Sequence, residues 1–383
     1  MTDRPAPSTD TTTTIKVGIS STKAEPALRP HRDGIGTYTA ALIGGLPRYG
    51  CMPVGYAWPD AGRARAPLRH GRYLPHSYGI TTAGQMLGIL APLSMPVDVF
   101  HCTDHMALRT SCPSVITLHD AAPLSHPEWA SPRLRWLRNR LLRRAGALGD
   151  AYIAISHAAV EELVRYFGVD ERKIHVVPNG IEATWFDEGD AGIRFRRLAE
   201  RLHLRAGYFL FVGTLQPRKN VDRLLDAYRQ LPSPLRREHR LLIVGRPGWR
   251  SAGTIARMRA MRDDGVLWLD DIDDDGDVRA LYRHAAALVF PSLHEGFGLP
   301  VLEAFASGTP VVTSNLASLP EVAGDAALLV DPLDAGEIAA AMRDLVRSPD
   351  IRRQCIARGV AQARLFSLER TAAATAAVYR SLL

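Results

Sequence analysis

Apolar runs long enough to cross a bilayer are missing from this chain of 383 residues, since none approaches the roughly 20 residues that a membrane-spanning helix needs. Cysteine is scarce. Cys51, Cys102, Cys112 and Cys355 are the four present, scattered without CxxC or zinc-ligand spacing, which argues against a redox pair or structural zinc and for buried thiols. Residues 1–14 are rich in Thr, Pro, Ala and Asp but lack the apolar stretch of a secretory signal, so they read as a disordered leader on a cytoplasmic chain. A dinucleotide fingerprint is incomplete: Gly34 and Gly36 form G-x-G with no third glycine in place, so an NAD reading is weak. Acidic residues number 40 against 47 Lys and Arg, and the net charge of +7 suggests an acidic partner such as nucleic acid, anionic lipid or a sugar nucleotide. A nucleic-acid-binding module has no support, because neither an aromatic-rich basic strand nor a recognised nucleic-acid motif is present.

What is present is an alternation of short apolar strands and amphipathic helices. The chain exceeds what one core usually supports, so two domains are expected. Strands are predicted at 15–20, 97–101, 115–118, 152–156 and 173–177, and again at 208–212, 241–245, 265–269, 286–290, 310–312 and 327–330. Helices are predicted after Gly36, at 131–148 and 158–167, from Val221, and at 300–306, 334–346 and 351–366. Residues 59–79 show no period and read as a loop. Pro178-Asn179-Gly180 is a strong turn signal, and the domain boundary is placed near Thr184. This predicts an α/β chain with domains at 15–184 and 185–366.

Two carboxylates, Glu295 and Glu303, stand with seven residues between them in the stretch LHEGFGLPVLEAFASGTPVV. The strand at 286–290 precedes them. Gly296 and Gly298 let the backbone turn tightly and approach a ligand, and Pro300 suits the first position of a helix, so Glu295 falls in a strand-to-helix loop and Glu303 in the first helical turn. Open α/β sheets bind ligands at that end of the strands. A carboxylate repels phosphate but accepts charge-assisted hydrogen bonds from vicinal hydroxyls, which suits a sugar and a ribose. The phosphates then need cations. Gly213 to Asn220, GTLQPRKN, follows another strand and sets Arg218 and Lys219 at a helix amino terminus, where Asn220 can cap; two cations plus the helix dipole make a diphosphate site. His119 lies next to Asp120 at the carboxyl end of the 115–118 strand, also where a cleft would form.

The run Glu295-Gly296-Phe297-Gly298-Leu299-Pro300-Val301-Leu302-Glu303 with its SGTPVV continuation resembles the signature of the family-4 retaining glycosyltransferases. The resemblance implies the GT-B fold, two facing Rossmann-like domains with the nucleotide sugar held mainly by the second and the acceptor by the first. It implies donor-binding roles for Gly34, Gly36, Gly213, Arg218, Lys219, Glu295, Gly296, Phe297, Gly298, Leu299 and Glu303. His119, Arg218, Lys219 and Glu295 are the expected catalytic set, with His119 positioning the sugar near its reacting carbon. It also implies that residues 367–383 cross back to the first domain. Glu295 would hold the sugar hydroxyls and Glu303 the ribose.

The acidic run Asp270 to Asp275 is read as a solvated loop rather than a metal-binding DxD motif; GT-B enzymes of the retaining class do not depend on such a metal, and neither metal nor cofactor is expected. The segment His119 to Trp129 is similar to bacterial mannosyltransferases that build polysaccharide or O-antigen repeats. That makes GDP-mannose the favoured donor and a saccharide, lipid-linked, the acceptor. UDP-glucose or another hexose donor is the nearest alternative, and a sugar-nucleotide epimerase on the same double-Rossmann plan is the rival enzyme. Residues 131–148, with Leu134, Leu137, Leu141 and Leu148 on one stripe and Arg133, Arg140, Arg143 and Arg144 mostly elsewhere, can lie on an anionic membrane surface or serve as an ordinary domain helix.

Overall fold

Short runs of β-branched, aromatic and alanine residues, buried on both faces, form the central strands of the two parallel sheets of this protein. The computed structural model describes residues 14–29, 33–59, 66–129, 132–272 and 274–383, so the leader expected at 1–14 lies outside the described residues up to position 13. The strands are β1 (Ile15–Ser20), β2 (Cys51–Ala57), β3 (Gly71–Tyr73), β4 (Val99–Cys102), β5 (Ser114–Leu118), β6 (Ala151–Ala154), β7 (Ile174–Val176), β8 (Tyr208–Val212), β9 (Leu241–Val244), β10 (Val266–Leu269), β11 (Ala285–Phe290), β12 (Val311–Ser314) and β13 (Leu328–Val330). One sheet has the order β3-β2-β1-β4-β5-β6-β7 and the other β10-β9-β8-β11-β12-β13. Both are the doubly wound order. Its direction reverses between β1 and β4 in one sheet and between β8 and β11 in the other, and ligands bind at the carboxyl ends of the strands beside such a reversal. Thr184 falls in the segment between β7 and β8.

By packing, the chain divides into two units. One comprises residues up to Ile116 with Leu148–Ala151 and Ala372–Leu383; the other comprises Thr117–Ala147 and Tyr152–Thr371. In the first, the Tyr379 hydroxyl lies 2.7 Å from Nδ1 of the buried His101, which ties the end of the Leu368–Arg380 helix to β4. In the second, Gly180 of the Pro-Asn-Gly turn is required by close approach, because a Cβ there would lie 2.2 Å from the Ser367 carbonyl carbon. The second unit's core is formed by β8, β9 and β11 with the apolar faces of the Val221–Gln230 and Leu299–Ala306 helices.

Three elements differ from the sequence reading. Within 59–79, residues 60–65 lie outside the description, but Gly71–Tyr73 is strand β3 and a helix starts at Tyr78. The acidic run is not simply a solvated loop: Asp274 caps the Asp275–Arg283 helix, accepting from the amides of Gly276 and Asp277, and Arg194 pairs with both Asp274 and Asp277. The 131–148 helix is shorter, Arg135–Ala145. Leu134 stands outside it in a left-handed conformation, and Pro132 is not its first residue.

Candidate functional site

At the reversal point of the second sheet, the loops after β8 and β11 face each other. After β8, Gly213 takes φ +150 and its amide donates to the Val244 carbonyl, a backbone form that side chains avoid. The chain then makes a 3-10 turn, Pro217–Lys219, and enters the Val221–Gln230 helix. Asn220 sits at the amino-cap position with φ 58, but its side chain does not cap the helix as expected. Its amide donates instead to the carbonyls of Pro291, at 3.0 Å, and Pro332, at 2.7 Å, and so fastens the β8 loop to the end of β11. The Leu293 amide adds a bond to the Arg218 carbonyl.

These bonds bring both cations onto one carboxylate. Arg218 Nη1 lies 2.9 Å from Glu295 Oε2 and Lys219 Nζ lies 2.6 Å from Glu295 Oε1. All three side chains are shielded from solvent, Lys219 and Glu295 almost fully. Burial would raise the Glu295 carboxyl, but Lys219 and Arg218 overcome that and hold it at about 2. Burial lowers the Lys219 ammonium despite Glu295, and Lys219 also lies over the Phe290 ring, 4.6 Å from its centre. Glu295 keeps the Arg218 guanidinium firmly charged. The triad carries two positive charges and one negative. It is a net cationic patch in which the acid, expected to hold hydroxyls, also orients the two cations.

Glu303 is the fifth residue of the Leu299–Ala306 helix, beyond its first turn, and Pro300 is the second residue of that helix. Burial pushes the Glu303 carboxyl up to about 7, against a 2.9 Å bond from the Tyr282 hydroxyl. Gly298 has φ +122, a conformation that favours glycine. Gly296 is also required by packing: a Cβ there would lie 2.1 Å from the His119 carbonyl oxygen. That contact brings the half-buried His119, which directly follows β5, against the acid-bearing loop through its backbone. Phe297 turns its ring into the core against Phe366, and Leu299 opens the helix. Gly34 and Gly36 belong to the other unit, in the helix after β1, where Asp33 accepts from the Gly36 amide; a Cβ at Gly34 would meet nothing within 4 Å, so packing does not demand that glycine.

Several residues at the site give no sign in the sequence. Ser318 donates to the carbonyls of Glu295 and Phe297, at 2.8 and 2.6 Å, and Ser156 to that of Gly296, at 2.8 Å. His294 holds Glu162 at 2.7 Å, and its own carbonyl accepts from Arg218. These partners are far apart along the chain, and serines and single helical acids are too common to stand out. Among the described residues no cluster of three His, Cys, Asp or Glu side chains could hold a metal ion.

The chain is similar to known glycosyltransferases in sequence and to known structures in fold. The model of the family described as Glycosyl transferases group 1 matches residues 197–362, and that of Glycosyltransferase Family 4 matches residues 32–185. O-antigen chain mannosyltransferase B of Escherichia coli is 33% identical over 70% of this chain and 70% of its own. The serotype-specific mannosyltransferase WbdA of E. coli is 29% identical over 70% of this chain, which spans only 33% of WbdA. Among solved structures, Anabaena HepE in complex with UDP and glucose superposes with a TM-score of 0.72 at 16% identity, covering 96% of this chain and 100% of that one. The chain belongs to the family-4, group 1 glycosyltransferases, enzymes built here on two Rossmann-like parallel sheets in the GT-B fold.

Proposed function

We propose that the protein transfers a hexose, mannose from GDP-mannose, to a lipid-linked saccharide with retention of anomeric configuration, in assembly of a bacterial polysaccharide or O-antigen. The observation that carries this reading is the triad of Arg218, Lys219 and Glu295 at the reversal point of the second sheet, a net cationic patch fit for a diphosphate. Breaking the bond from the sugar carbon to the phosphate leaves charge on the diphosphate, and the two cations stabilise it. The acceptor hydroxyl attacks the same face, its oxygen bonds to that carbon, and its proton passes to the departing phosphate oxygen. His119 and Glu295 position the sugar, Glu303 takes the ribose hydroxyls, and the cations supply the stabilisation that a metal supplies elsewhere. Mannose is favoured by the similarity to O-antigen chain mannosyltransferase B. UDP-glucose is the second reading, favoured by the likeness in fold to HepE with UDP and glucose bound.

We place the protein in the cytoplasm, at the inner face of the membrane. The Arg135–Ala145 helix buries Leu142 and Ala145, while Arg133, Arg135, Arg140 and Arg143 are exposed together with Leu134 and Trp136. Basic and apolar groups exposed side by side suit an anionic lipid surface. A thermal-shift panel of GDP, UDP and ADP tests the donor, with GDP expected to raise Tm most. A larger rise with UDP transfers the assignment to the glucose reading. Arg218→Ala and Glu295→Gln should each cut turnover about 10²–10³-fold. Wild-type turnover in both removes the site.

A further inference from the structure

A second group of side chains, in the same unit as the cation triad, has no part in the transfer chemistry above. His294 is 5% exposed. Its Nε2 lies 2.7 Å from Glu162, and its Nδ1 is buried with no partner among the described residues. A buried polar atom left unpaired costs about 1–3 kcal/mol and calls for an explanation. Two stacked rings stand beside it. His126 lies on Trp129 with centroids 3.9 Å apart and 18° between planes, and the two are 5.7 and 6.2 Å from the His294 ring. Arg250 donates to the Glu128 carbonyl at 3.4 Å.

The chemistry of this cluster selects a neutral polyol. Glu128 pairs with His126 and Glu162 with His294, so among the described residues the cluster offers a phosphate no free cation, whereas an indole face packs against the C–H face of a pyranose. With a carboxylate on Nε2, the proton sits there and Nδ1 accepts; in the charged ring Nδ1 donates. A sugar hydroxyl satisfies either form. His294 directly precedes Glu295 and its carbonyl accepts from Arg218 at 2.9 Å, which ties the cluster through the backbone to the triad.

We propose that His126, Trp129 and His294 form a saccharide subsite for the terminal pyranose of the acceptor, with Glu162 orienting the histidine; the identity of the occupant as acceptor rests on the transferase reading. The test is saturation-transfer NMR with methyl α-D-mannopyranoside in the presence of GDP. Wild-type protein should transfer saturation to the sugar's ring protons. Trp129→Ala and the milder His126→Ala should weaken it about threefold to tenfold, the range of a lost aromatic stack. The GDP-induced rise in Tm should persist in both, showing that fold and nucleotide site survive. No transfer in the wild type, or equal transfer in every variant that keeps the GDP response, overturns the subsite. A signal that depends on Trp129 in a protein whose Tm ignores GDP, UDP and ADP would keep the subsite and sink the donor assignment instead.

Discussion

Glu295 and Glu303 lie on one strand-to-helix segment and titrate in opposite directions. Two cations hold Glu295 at about 2, so its pairing stabilises the fold above the ordinary carboxylate value and is lost as pH falls through about 2. Burial raises Glu303 to about 7, so its ionisation in the folded protein costs stability as pH rises from its ordinary value through about 7. On the proposed ribose role, ionised Glu303 accepts two hydroxyls while the protonated form gives up acceptor capacity. GDP should therefore bind more tightly at about pH 8 than at about pH 6, and Glu303→Gln should flatten that dependence in a calorimetric titration. Equal slopes would remove Glu303 from the nucleotide site. Lys219 is a different case. Lys219→Ala leaves a buried carboxylate with one partner in place of two and should cost about 1.5–3 kcal/mol in urea unfolding. Arg218, Lys219 and Glu295 could be placed on neighbouring loops from the sequence because strand, loop and helix signals surround each. Glu162 and Ser318 could not, because their partners lie far along the chain and nothing local marks them.

At the scale of elements, apolar runs were the legible part. β8 and β11 fall where the sequence puts them, since both are buried on both faces and continuously apolar. β2 escaped notice because Pro53 and Gly55 interrupt it, and the helices Ala191–Leu202 and Asp275–Arg283 because charged residues mask their narrow apolar stripes. Capping was misread at Asn220, where tertiary partners outcompete the helix amides for the side chain. Asn220→Ala loses both bonds and sets an alanine at φ 58, so it should cost about 2–4 kcal/mol. Asn220→Gly keeps the backbone form and should recover part of that, by the same unfolding measurement. Equal losses would show that the φ contributes nothing.

For the whole molecule, the net charge of +7 finds a local expression in the Arg135–Ala145 helix and its flanks. Reversing Arg140 and Arg143 to Glu should lower sedimentation with phosphatidylglycerol vesicles at least about tenfold and reduce its salt sensitivity, at roughly 1 kcal/mol per charge near a lipid surface. Unchanged binding would assign the arginines to plain solubility. The order of the two sheets was legible only as alternation, because strand neighbours are chosen by packing that no single segment reveals. Gly296 carries a wider consequence. With the His119 carbonyl pressed where a methyl would go, the acid-bearing segment and the tip of β5 have no slack between them. A sugar that displaces either must drag the other along, so substrate arrival would be felt as one movement by stretches that the chain itself holds far apart.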